Sequence, residues 1–149
     1  MFELNVPELD KILKDMRELA PKLQRKGLTQ ALRKGMAPVR KSARAKLRTH
    51  IEKTEGSEST KRLEKSIIVR ANSRLGRREG GAAMQVGVRG GGKENPNTAF
   101  YFRFLEFGTS KMAARPFLVP AMVENQKRVS DIVTTELRAA IDRIARTGK

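Results

Sequence analysis

Apolar residues near the N-terminus recur at helical spacing, at Leu9, Ile12, Leu13, Met16 and Leu19, and predict a short helix over residues 7–20. Pro7 suits a first helical turn, Glu8 and Asp10 favour the positive end of the helix dipole, and Pro21 closes the element. From Lys22 to Ile51 a second pattern runs through Leu28, Leu32, Met36, Val39, Ala43, Leu47 and Ile51, one apolar stripe in steps of three or four. Gly27, Gly35 and Pro38 interrupt that stripe and predict a kink, or two shorter helices, near 35–38. Residues 52–61 then read as a polar connector.

Beyond the connector the period shortens. Ser66–Arg70 is β-branched enough for a strand, Met84–Val88 alternates as a half-buried strand does, and Ala99–Phe107 supplies aromatic strand residues. Asn72–Ala82 and Gly90–Thr98 read as glycine-rich hairpin loops with mobile tips. From Pro116 helical spacing returns, through Phe117, Ala121, Met122, Val129, Ile132, Val133, Leu137, Ile141 and Ile144. The expected fold is α+β in a single domain over 1–149. It comprises a short N-terminal helix in 1–21, a basic helical segment over 22–51, and an antiparallel sheet of three to four strands with long hairpin loops over 62–109. A long C-terminal helix over 116–146 packs on that sheet.

Composition refines the picture in two ways. With 149 residues, 38% of them hydrophobic and 5% aromatic, the chain has material for one modest aliphatic core. Its charge is the outlier, since 32 Lys and Arg against 16 Asp and Glu leave +16. Such an excess repels itself and favours polyanions. The segment 22–50 concentrates it, with Lys22, Arg25, Lys26, Arg33, Lys34, Arg40, Lys41, Arg44, Lys46 and Arg48 and no acid between them. A solvated helix face usually mixes signs, so Arg33, Lys34, Arg40, Lys41, Arg44, Lys46 and Arg48 are the candidates for facing a polyanion. No aromatic is interleaved with them, so any contact with DNA is to phosphates, without sequence readout.

Candidate chemistry is sparse. There is no Cys, which excludes disulfides, thiolate metal sites and a Cys nucleophile, and the one His, His50, has only Glu52 beside it. Neither a metal site nor a cofactor site is expected. The opening residues are acidic with no apolar run, and no stretch approaches the ~18 apolar residues of a membrane span. The expected place of synthesis is a reducing cytoplasm, without membrane contact. Gly87 to Lys93 has the GxxxxGK spacing of a phosphate loop, the basis for a nucleotide-hydrolase reading. However, Glu94 stands where Mg²⁺-binding Ser or Thr is needed, and Asn95-Pro96-Asn97 blocks the following helix. A flexible hairpin loop fits better.

The most distinctive segment is Tyr101-Phe102-Arg103-Phe104-Leu105-Glu106-Phe107-Gly108-Thr109, followed by Pro116-Phe117-Leu118-Val119-Pro120-Ala121. Glu106 among aromatics needs a cation or backbone partner, and Gly108 stands where the chain must turn and a Cβ is unfavourable. Tyr101, Leu105, Glu106, Phe107, Gly108 and Thr109, with Pro116, Phe117, Leu118, Pro120 and Ala121, resemble the tail-component family of HK97-type siphophages. Thr60-Lys61-Arg62-Leu63-Glu64-Lys65-Ser66-Ile67 is similar to that family's lead-in to its first strand, with Lys61 where the family usually has Gly. The basic segment resembles the family's long N-terminal helix, so the likeness spans roughly residues 25–145.

The resemblance implies a non-catalytic virion structural protein of the neck, head–tail joining or tail-completion class. It implies a ring-forming homo-oligomer, neighbours among the phage connector and tail-tube or terminator proteins, and no cofactor. The expected location is the virion neck or tail, after synthesis in the host bacterial cytoplasm. The basic face adds an expected docking on packaged DNA or on an acidic neighbour. The competing reading, from charge alone, is a non-specific nucleic-acid-binding or packaging protein.

Overall fold

The computed structural model describes residues 7–19, 21–52, 58–79, 81–89 and 101–147. The elements run α1 (Pro7–Arg17), α2 (Pro21–Gly35), α3 (Ala37–Glu52), α4 (Glu58–Ser66), β1 (Ile67–Ala71), α5 (Ser73–Arg78), β2 (Met84–Val88), α6 (Phe102–Phe107) and α7 (Leu118–Thr147). The fold is α+β, with N-terminal helices, a small antiparallel sheet and a long C-terminal helix. The chain divides into two compact units. One comprises Met1–Ala37, Ala71–Gln85 and Gln126–Lys149, the other Pro38–Arg70 and Val86–Asn125.

In the first unit, Ile12 and Met16 of α1 are buried, as are Val129, Val133, Leu137 and Ala140 of α7. The buried side of α2 is Gly27, Ala31 and Gly35. Helical spacing predicted Leu28 and Leu32 for this stripe, and both are only half-buried. The true stripe lies one residue earlier because small residues let helices approach more closely than leucines do. A Cβ added at Gly27 would lie 3.2 Å from Met16 Cε and 3.5 Å from Ala140 Cβ. Lys34 reaches across to Glu136, Nζ to Oε2 at 2.7 Å, a surface ion pair worth at most about 1 kcal/mol.

In the second unit α3 keeps the predicted spacing, with Val39, Ala43 and Leu47 buried. Pro38 is harmless there because it falls in the first turn of α3, where its missing N–H has no helical partner to lose. The break between α2 and α3 thus comes where Gly35 and Pro38 predicted it. Leu63, Ile67, Val88, Phe117 and Ala121 complete the core of this unit. Ser66 Oγ donates to Arg62 O at 2.7 Å as α4 ends, and β1 begins at the next residue.

β1 and β2 form a two-stranded sheet. Arg89 N donates to Ser66 O at 2.7 Å and Asn72 N to Ala83 O at 2.8 Å, so the register sets Ile67 opposite Val88. Those two are the buried positions of their strands; the rest of β2 is half-buried throughout.

Three expectations are corrected. Residues 102–107, predicted as a strand, form α6, so the described residues contain two strands rather than three or four. A short aromatic run carries no decisive period, and here Tyr101 O accepts from Phe104 N and Leu105 N, closing a helical turn. The Asn72–Ala82 loop contains α5, because Asn72 Oδ1 caps it by accepting from Leu75 N at 3.0 Å while Asn72 Nδ2 donates to Gln85 Oε1. The polar connector ends early, since α4 starts at Glu58. The Gly90–Thr98 loop lies outside the described residues, as do Gly90–Lys93 of the GxxxxGK match.

A Cβ at Gly35 would lie 2.5 Å from Val133 Cγ2 and 3.4 Å from Val129 O. Val is stiff at χ1, so the helices must separate to admit it. Gly35→Ala is expected to lower stability by about 1–3 kcal/mol in urea denaturation, although alanine is the better helix former. An unchanged or raised midpoint would refute close packing at this position.

Candidate assembly site

The site is built around one buried acid. Glu106, on the last turn of α6, is 4% exposed. Its Oε2 accepts from Phe117 N at 2.9 Å and Leu118 N at 3.0 Å, and its Oε1 accepts from Val119 N at 2.8 Å. These are the opening N–H groups of α7, which starts at Leu118. A helix leaves its first four N–H groups without helical partners. Here Glu106 takes three of them, and the fourth position is Pro120, which has no N–H to satisfy. The negative charge also sits at the positive end of the α7 dipole. Glu106 is therefore a helix cap supplied from eleven residues upstream.

Gly108 makes that reach possible. Its φ of 72° and ψ of 178° place it in a region open essentially to glycine alone. A Cβ there would lie 2.8 Å from Ala114 N and 2.9 Å from Met112 O, both backbone atoms that cannot rotate away. Thr109 and Met112 pair in a short antiparallel bridge, and Arg115 N donates to Leu105 O at 2.7 Å. Thr109 Oγ1 accepts from Lys111 N, tightening the same turn. The segment from α6 to α7 is thus folded back by backbone bonds, with Glu106 at its centre.

The other motif residues take distinct places. Phe117 and Ala121 are fully buried, one turn apart, and carry the start of α7 into the core of the second unit. Tyr101, Leu105 and Leu118 are half-buried, and Pro116 is exposed. His50 Nε2 lies 3.2 Å from Pro116 O, a contact that sequence reasoning gave no role. Phe107, beside the buried Glu106, points outward and is 73% exposed.

The candidate polyanion-facing residues separate into two groups. Arg44 Nη2 donates to Ile67 O at 2.8 Å, Lys46 Nζ to Glu124 Oε1 at 2.6 Å, and Arg48 Nε to Glu64 Oε1 at 2.7 Å. With Lys34 on Glu136, four of the seven bind within the chain. Arg33 and Lys41 are exposed and Arg40 is half-buried. The acids that meet these cations lie 16 to 102 residues away in sequence, so an acid-free run along the chain is not an acid-free surface. Among the described residues, no group of three or more His, Asp or Glu is placed to hold a metal ion, and no helix is long and apolar enough to cross a membrane.

Glu106→Gln replaces an accepting oxygen by an NH₂ facing other donors. It is expected to cost on the order of 2–3 kcal/mol in urea denaturation, and Glu106→Ala more, because buried N–H groups are then stranded. Gly108→Ala is expected to cost at least about 1–3 kcal/mol from backbone strain alone. If either substitution leaves the unfolding midpoint in place, the cap is not what holds this corner.

Comparison with known families reaches the Tyr101–Gly108 part of this motif and stops short of Thr109 and Pro116–Ala121. A family model described as "Bacteriophage HK97-gp10, putative tail-component" matches residues 10–108. The match includes Glu106 and Gly108 and ends before Phe117–Val119, whose N–H groups Glu106 binds. No curated protein and no solved structure matches the chain. The family match spans well over half the chain, and with it the protein belongs to the HK97-gp10-like family of phage tail components.

Proposed function

We propose that the protein is a structural subunit of the head–tail junction, acting in the neck or in tail completion, and that it performs no catalysis. The family match over residues 10–108 carries this reading. The geometry supports it, because both oxygens of Glu106, the one buried acid among the described residues, are committed to backbone N–H groups at a helix start. In this reading the subunit assembles as a ring between connector and tail-tube or terminator proteins. It is made in the host cytoplasm and retained in the virion.

The decisive experiment removes the gene from the phage and images the lysate. Filled heads and free tails that fail to join, restored to virions by the gene in trans, are the expected outcome. Normal joining without the protein, or its absence from purified virions by mass spectrometry, would overturn the proposal.

A second reading, non-specific nucleic-acid binding, is favoured by one observation. Lys22, Arg25, Lys26 and Arg33 are exposed along α2. Contacts of such cations to phosphates carry no sequence readout, and their binding must weaken steeply with salt. Polarisation of a labelled duplex measures it. Appreciable affinity near 0.15 M salt, lost on changing the four residues to Gln, is expected if the second reading holds.

A further inference from the structure

We infer that the corner from α6 to the first turns of α7 docks on an acid-rimmed apolar patch of a different virion protein, not on a second copy of this chain. The inference rests on the structural-subunit reading and adds the surface and the chemistry of its partner.

The large apolar side chains left exposed among the described residues are Phe104 (46%), Phe107 (73%), Met112 (37%), Val119 (49%) and Val123 (49%). All fall within one 20-residue stretch of the second unit. Phe104 and Phe107 share a face of α6, and Val119 and Val123 share a face of α7, by helical spacing. The Glu106–Val119 bond of 2.8 Å holds α6 to the start of α7, and Met112 O lies beside the tight turn at Gly108 between them. Scattered exposed apolar residues are ordinary, but a concentration of this kind marks an interaction surface. Backbone bonds also hold the corner in shape, so little ordering remains to be done on binding.

Charge selects the occupant. Between Tyr101 and Val123 the one acid is Glu106, and it is buried and capped; Glu124, the next residue, is exposed and bonded to Lys46 Nζ at 2.6 Å. Arg103, Lys111 and Arg115 are exposed in the same stretch. A second copy docking by the same corner would bring its own Arg103, Lys111 and Arg115 against this cationic rim. Like charges set against each other across an interface cost stability, whereas an acidic rim on the partner is attracted and steered in. The complementary surface is therefore apolar at its centre and carries Asp and Glu around it.

Phe107 replaced by the photo-cross-linker p-benzoylphenylalanine tests this in assembled virions. After irradiation, mass spectrometry of purified particles is expected to find position 107 joined to an acid-containing peptide of another virion protein. Joining to a second copy of the chain overturns the inference, as does the absence of any cross-link to another chain when the protein is present in the particles. Absence of the unsubstituted protein from purified virions would overturn the structural-subunit reading instead. In parallel, Lys111→Glu is expected to reduce incorporation several-fold with the urea midpoint unchanged, while Lys111→Arg keeps incorporation. Equal incorporation of both variants also counts against the charged rim.

Discussion

A carboxylate removed from water is costly unless its charge is met, and a helix start is costly unless its donors are. Glu106 and the start of α7 resolve each other's cost. Three backbone N–H groups converge on one buried acid, and the remaining position is a proline without a donor. Phe117 and Ala121 are thereby fixed in the core of the second unit, at the start of a 30-residue helix. Gly108 is required because the carboxylate arrives only if the chain reverses in a conformation closed to other residues. The Glu-Phe-Gly and Pro-Phe-Leu-x-Pro-Ala segments are two halves of one interaction.

The cationic character of the chain takes on a different meaning once the fold is known. A charge of +16 destabilises a compact state by self-repulsion. Part of it is spent inside the molecule. Arg44 holds the carbonyl at the start of β1, and Lys46 and Arg48 reach acids on α7 and α4. Exposed ion pairs of this kind are individually weak, so their role is to position rather than to stabilise. The cations of α2 stay at the surface, and the apolar corner adds Arg103, Lys111 and Arg115. In the proposed docking, this surface charge acts on choice of partner.

The alternation of its residues lets the same corner serve both folding and the proposed contact. Glu106 turns inward and Phe107 outward, so the acid that fixes α7 also holds an aromatic ring in solvent. On α7, Phe117 and Ala121 face the core while Val119 and Val123 face out. Substitutions at the inward positions act through stability, and in the proposed docking those at the outward positions act through assembly.

Much of this was legible along the chain. Helical spacing located α1, α3 and α7, Gly35 and Pro38 marked the break between α2 and α3, and the need of Glu106 for a partner was plain from its aromatic neighbours. These are local matters, set by periodicity, backbone restriction and the cost of burying charge. Tertiary structure decided the rest. It chose helix over strand for residues 102–107, because a short aromatic run satisfies either period and the distant N–H groups of α7 settle where Glu106 must sit. It placed Gly27, Ala31 and Gly35, not the leucines, on the buried side of α2, because how closely another helix approaches is not written in α2 itself. It also decided which cations of the basic run meet an acid within the chain, since those acids come from distant parts of the sequence.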